Sequence, residues 1–289
     1  MYNSRLLEHY NSRFNSTIGL FDSHAHLTYP SKLSIDEVVT NAKAAEVVAI
    51  IDVAVDLKTS METIKNHDKF PSFVHPTAGI HPELVVPGSD LFDPVIDETS
   101  LDQIFEKLEL IIEANRDKII MIGECGIDYY WLDKSDLDNS EKEKSRSTQK
   151  ELFRRHLVLA DKYSLPLTIH SRDSLDDCLE IIKTSGLDLY GIFHSFTGNL
   201  SDANRIFDTG FAIGINGIAT YKSAQAIRDV VRGLLPTGEL TPRTLYESGI
   251  FIETDAPFLL PRGSRGASNQ SSNIPIIFTA ICNESSQSS

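Results

Sequence analysis

Eight short runs rich in β-branched and aromatic residues recur along the chain, and they constrain its fold more than any other feature. They read "GLFDSHA" (19–25), "VVAIIDVAV" (47–55), "FVHPTAGI" (73–80), "IIMIGECG" (119–126), "LPLTIHS" (165–171), "LYGIFHS" (189–195), "FAIGING" (211–217) and "IFIETDA" (250–256). Near-continuous apolar runs of this length are the signature of strands buried on both faces. Between them lie stretches of helical spacing, such as "LDQIFEKLELIIEAN" (101–115) and "STQKELFRRHLVLADKYS" (147–164), with Ser147 or Thr148 as candidate caps of the second. Eight such alternations within 289 residues predict an α/β fold, the TIM (β/α)8 barrel. A doubly wound open sheet is the competing arrangement, because periodicity alone does not show closure.

The chemistry-bearing residues fall at one end of these runs. His24 and His26 stand two apart in "FDSHAHL", and residues two apart on a strand share a face, so both imidazoles project into one space. Glu124, His170, His194 and Asp255 sit at or near the C-terminal ends of later runs, the end where barrel enzymes build their sites. Nitrogen and carboxylate ligands without cysteine suit zinc, manganese, magnesium or iron, and the sequence does not choose among them. Six ligands exceed one tetrahedral site. Two divalent metal ions sharing a carboxylate are the more natural reading, with Glu124, midway in order, as the bridge.

Charge and cysteine content narrow the setting. The formal charge of −14 excludes nucleic-acid binding on a basic exterior, so any such contact must be local. From Glu83 to Glu113, nine acids against Lys107 alone leave −8, a segment expected to be a solvated loop and helix. Cys125, Cys178 and Cys282 are few and scattered, which suits a reducing cytoplasmic or nuclear compartment rather than a disulfide framework. The first 19 residues lack the apolar run of a secretory signal, Glu8 argues against a mitochondrial transit peptide, and no stretch is apolar for long enough to cross a bilayer. The expected organisation is an N-terminal extension (1–19) followed by one barrel domain (20–289).

The segments "FDSHAHL", "GIHPE", "IGECGIDYY", "LPLTIHSRDS", "FHSFTGN" and "IETDAPFL", in this order, resemble the TatD-like metal-dependent deoxyribonucleases of the amidohydrolase superfamily, from about Leu20 to Pro261. The resemblance implies that His24 and His26 hold one metal with Asp255, that Glu124 bridges, and that His170 and His194 hold the second. Asp255 would also take a proton from the attacking water. It implies DNA as substrate, and the acidic exterior favours single strands or ends threaded into a locally positive pocket.

Other positions carry weaker expectations. Glu253, two residues before Asp255, is expected to orient a ligand rather than be one. His81 and Arg172 are candidate substrate contacts, the latter against a salt bridge to Asp173 or Asp176. Asp128 and Tyr129 are placed at the mouth or in a packed turn, and Lys222 with Arg262 or Arg265 could extend the positive zone. His9, His67, His75 and His156 are read as structural, and Cys125 and Cys178 as buried thiols. Only 34 residues follow Asp255, ending in a serine-rich stretch, so the last helix is expected to be shortened or missing, exposing strands one and eight. Competing functions are hydrolysis of small esters or amides, cleavage of aminoacyl esters of transfer RNA, and an inactive shortened barrel that only binds metal.

Overall fold

The computed structural model describes residues 4–14, 19–235, 240–264 and 268–285. Eight parallel strands form one sheet in sequential order: β1 (Asp22–Ala25), β2 (Ile50–Asp52), β3 (Val74–Ala78), β4 (Met121–Asp128), β5 (Leu167–Arg172), β6 (Gly191–Phe193), β7 (Phe211–Ile215) and β8 (Ile250–Ile252). Just past β8, Ala25 bridges Ala256 in parallel, Asp255 N–H donates to the His24 carbonyl (2.9 Å) and His26 N–H to the Ala256 carbonyl (2.7 Å). The sheet thus returns to its first strand as a TIM barrel. Closure, which the pattern of runs leaves open, comes from bonds at the very residues that carry the candidate ligands.

The helices are α1 (Ser4–Arg13), α2 (Ile35–Ala44), α3 (Leu57–Lys69), α4 (Leu101–Ala114), α5 (Tyr130–Lys134), α6 (Asn139–Tyr163), α7 (Leu175–Ser185), α8 (Leu200–Phe207), α9 (Gln225–Leu234), α10 (Pro242–Glu247) and α11 (Ile274–Ser285). Capping boxes set the starts of α2, α3, α6, α8 and α10. In α2 the Ser34 side chain accepts from Glu37 N–H while the Glu37 carboxylate accepts from Ser34 N–H. The same device corrects the expected start of the long helix, because Asp138 and Glu141 cap α6 reciprocally and leave Ser147 and Thr148 inside it. Thr148 there donates back to the Lys144 carbonyl.

Helix α6 is the spine of one flank. Its Ser145 hydroxyl donates to the Val85 carbonyl, and its Gln149 side-chain oxygen accepts the backbone N–H of Asp128 at 2.7 Å. The acidic segment lies, as expected, in a loop and α4, and α6 answers it with Arg155 to Asp102 (2.7 Å) and Lys162 to Glu109.

At the opposite end of the barrel, α1 seals the strand starts. Leu6 and Tyr10 are fully buried. The Tyr10 ring lies 5.1 Å from Phe21 and 5.6 Å from Phe251, and its hydroxyl donates to the Met121 sulfur at 3.2 Å.

The C-terminal segment departs from expectation. A 12-residue helix, α11, follows β8, and Ile274, Ile277 and Ile281 are buried at helical spacing. Pro275 occupies its first turn, where a missing N–H costs nothing. Gln270 just before it reaches Asn41 of α2 (3.0 Å), so the seam between strands one and eight is covered.

Buried His156 supports the reading of a structural histidine. Its Nε2 accepts from Ile80 N–H (3.0 Å), and its Nδ1–H donates to the Leu152 carbonyl (2.8 Å). Only a neutral imidazole satisfies both, and burial lowers its pKa from 6.5 to about 4. The unfolded chain therefore binds more protons between these values, so this contribution is fully present above pH 6.5 and is lost as pH falls towards 4. In urea unfolding, the stability gap between the wild-type chain and His156→Gln is expected to shrink by roughly 2–3 kcal/mol from pH 7 to pH 4.

Candidate metal centre at the barrel mouth

His24, His26, His170, His194 and Asp255 stand at or near strand ends at the mouth, whereas Glu124, expected at a run end, lies inside β4, which continues to Asp128. His24 lies on β1, and His26 just beyond it; their Nε2 atoms converge to 3.3 Å. Glu124 lies within β4, fully inside the barrel. The residue before it must be glycine. Gly123 adopts φ +132°, and an added Cβ would sit 2.5 Å from the Thr168 carbonyl oxygen. Asp255 takes a left-handed backbone at φ 54°, a conformation costing about 1–2 kcal/mol for a side-chain-bearing residue.

The donor atoms fall into two groups that share Glu124. His24 Nε2 and His26 Nε2 lie 3.4 and 3.5 Å from Glu124 Oε2, and 3.9 and 3.5 Å from Asp255 Oδ1. His194 Nε2 and His170 Nδ1 lie 2.8 and 3.1 Å from the other oxygen, Glu124 Oε1, and 3.1 Å from each other. All six sequence-predicted ligands are brought together.

Proton accounting shows what such a centre needs. His26 Nδ1–H donates to the Val53 carbonyl (3.0 Å), and His170 Nε2–H to Asp128 (2.8 Å), which leaves lone pairs on His26 Nε2 and His170 Nδ1. In the neutral rings those lone pairs face carboxylate oxygens, acceptor against acceptor, and either a second proton on the ring or a metal cation relieves the repulsion. The titration shifts express the same demand. Burial raises the Glu124 pKa, yet His194, His81 and His24 outweigh it and hold the carboxyl well below its usual range. Burial pulls His170 down, but hydrogen bonds to Asp128 and Glu124 lift it to about 9. Protons or metal ions both meet this need. The donor set, nitrogen and oxygen without sulfur, fits divalent metals.

Among the described residues, further groups of possible ligands border the two: His24 with His194 and Glu253, and His81 with Glu83 and His170. Glu253 Oε1 accepts from Ser195 N–H and lies 3.7 Å from His194 Nδ1, too far for a hydrogen bond. His81 Nδ1 accepts from Glu83 N–H (3.2 Å), so its Nε2 carries the proton and points at Glu124 Oε1 (3.2 Å).

Arg172 forms no ion pair with Asp173 or Asp176 among the described residues. Its exposed guanidinium lies 3.6 Å above the Tyr130 ring, and Asp176 pairs with Arg205 instead. Lys222 lines a second cleft of about 460 Å³ with Arg228 and Arg232, Arg262 is tied by its backbone to Thr220, and Arg265 lies outside the described residues. Tyr129 donates to Asp177 and is a packing residue.

Two partners are underweighted by sequence reasoning. Asp128 fixes His170, and the available signal is its position four residues after Glu124 on one strand, hence on the same face. Thr168, two before His170, meets His24 Nδ1 at 3.1 Å.

The sequence profile of the TatD related DNase family matches residues 21–289. The chain belongs to this TatD-related family. It is 33% identical over 268 residues to an uncharacterized metal-dependent hydrolase, YabD, of Bacillus subtilis, covering 91% of this chain and 89% of that protein. A Vairimorpha ceranae protein, provisionally named a deoxyribonuclease and TATDN1 homolog, is 30% identical over 85% of this chain and 75% of its own. The crystal structure of YjjV, a TatD homolog from Escherichia coli, superposes with a TM-score of 0.72 at 25% identity, covering 92% and 90% of the two chains. Family membership makes this chain a metal-dependent hydrolase, in agreement with the donor groups. No helix among the described residues is long and apolar enough to cross a membrane.

Asp128→Asn removes the carboxylate that fixes the His170 tautomer. Calorimetric titration with manganese is expected to show binding at the His170–His194–Glu124 group weakened roughly 10- to 100-fold, the range for loss of a ligand's supporting hydrogen bond.

Proposed function

We propose that this TatD-family chain is a deoxyribonuclease that hydrolyses phosphodiester bonds at DNA ends or in single strands. The observation that carries the reading is the pair of donor groups sharing one buried carboxylate, His24–His26–Asp255 and His170–His194 about Glu124, at a barrel mouth. Two divalent ions held there, magnesium, manganese or zinc, would lower the pKa of a bound water and neutralise phosphate charge.

The side chains supply the rest. Glu124 keeps its negative charge in a buried site because histidines surround it, and it offers one oxygen to each donor group. Asp255, ionised through its contact with His26 against the effect of burial, accepts the proton that an attacking water must lose. His81 presents an N–H into the same space and donates to a phosphate or leaving oxygen. Arg172, stacked on Tyr130 and free of an acidic partner among the described residues, binds a phosphate bidentately. Glu253, 3.7 Å from His194 Nδ1, acts on it through charge rather than through a hydrogen bond.

Local charge answers the acidic exterior. Two divalent cations would add four positive charges against the carboxylates of Glu124, Asp128, Asp255 and Glu253. That would make the mouth far less negative than the rest of a surface of net charge −14, which favours a threaded strand over a duplex laid across that surface. The reading of an inactive shortened barrel rests on a missing last helix, and α11 occupies that place.

The test is hydrolysis of a single-stranded DNA oligonucleotide labelled separately at each end, with each metal and with chelator. Stepwise, metal-dependent shortening is expected, and Glu124→Ala is expected to lower the rate by a factor on the order of 10³ or more. No cutting by folded, metal-loaded protein would instead direct attention to small esters or aminoacyl esters. Comparable cutting of closed circular duplex would refute the preference for ends and single strands.

A further inference from the structure

One feature of the mouth has no part in the metal centre or in phosphate binding. Phe258, three residues past Asp255, is 45% exposed. A lone exposed phenyl ring needs no explanation, and Met61, Leu110 and Val158 are such residues on the outer helices. Phe258 differs in its neighbours. Its ring lies 5.4 Å from Tyr29 and 6.1 Å from His26, and Tyr29 lies 5.3 Å from His26, so the two aromatics form a ledge beside the first donor group.

The ledge is also held rigidly. Phe258 N–H donates to the Asp255 carbonyl (2.8 Å). Buried Asn269 grips both sides of the ring's loop, its backbone N–H on the Pro257 carbonyl (3.1 Å) and its side-chain amide on the carbonyls of Thr254 (2.8 Å) and Leu259 (3.2 Å). Asn273 in turn donates to Asn269 Oδ1 (2.8 Å). A braced loop that leaves a phenyl face in solvent spends ordering entropy before any ligand arrives, and that favours tight stacking when one does.

We propose that Phe258, supported by Tyr29, is the platform on which a nucleobase of the substrate stacks while the adjoining phosphate lies at the donor groups. The inference rests on the nuclease reading and deepens it. A base offers a free face only when it is unstacked, so the ledge selects single strands and frayed ends, and it selects nucleic acid over small esters that carry no flat ring. It reads no sequence, because every base has a π-face.

The test compares wild type with Phe258→Ala and Phe258→Trp on two single-stranded oligonucleotides, one natural and one whose terminal residue is abasic. On the natural strand Phe258→Ala is expected to lower kcat/KM by roughly 5- to 150-fold, mostly through KM, as expected for about 1–3 kcal/mol per stacked base at 1.4 kcal/mol per decade. Phe258→Trp, which keeps a flat ring, is expected to stay within about threefold of wild type. The abasic strand already lacks the base, so the same Ala substitution is expected to add less than about threefold to its slower cleavage. Equal losses on both strands, or no loss on the natural one, would overturn the platform. Fluorescence anisotropy of the natural strand on metal-loaded protein separates the two readings. A strand that binds without being cut refutes the nuclease, while its affinity ratio between wild type and Phe258→Ala still decides the platform. No binding refutes both.

Discussion

A single buried carboxylate organises this molecule. Glu124 is enclosed by five histidines, His24, His26, His81, His170 and His194, and its two oxygens face different donor groups. An isolated carboxylate in such a place would be neutralised by its own protonation. Here the surrounding nitrogens reverse that cost, and bonds to Val53 and Asp128 turn the other ring nitrogens of His26 and His170 toward carboxylates, a setting that calls for protons or metal cations. The barrel serves this arrangement. Parallel strands that all end at one rim place side chains from β1, β4, β5, β6 and the end of β8 within a few ångströms, although they are far apart in the chain.

Closure and chemistry share residues in consequence. The hydrogen bonds that return the sheet to its first strand run through His24, His26, Asp255 and Ala256. The geometry of the first donor group is therefore fixed by the same contacts that make the barrel a barrel, and the left-handed backbone of Asp255 is sustained by that seam. The second group is fixed differently, by Asp128 behind His170.

Much of this was legible in the sequence because it depends on local periodicity. The two-residue spacing of His24 and His26, and the position of Glu124, His170, His194 and Asp255 at run ends, follow from strand geometry alone, and the coordinates bring all six together. What escaped depends on pairings that periodicity does not encode. The start of α6 is decided by the Asp138–Glu141 box inside a highly charged stretch, where the apolar pattern is silent. Helix α11 is hidden because its short run from Ile274 to Cys282 is apolar nearly all round, giving little helical contrast, and is bordered by serine and asparagine on both sides. Asp173 and Asp176 follow Arg172 closely in sequence, whereas its partner is the ring of Tyr130 just past the end of the adjacent strand β4.

The reach of α6 has a consequence for how the protein comes apart. Through Gln149 it holds the backbone of Asp128, which holds His170, which faces Glu124; through His156 it holds Ile80, next to His81. Loosening this helix would release both the support of His170 and the strand end that presents His81. The centre thus belongs to a cooperative unit that includes an outer helix of 25 residues, and amide protons along the buried face of α6 should exchange only in openings that also dismantle the site.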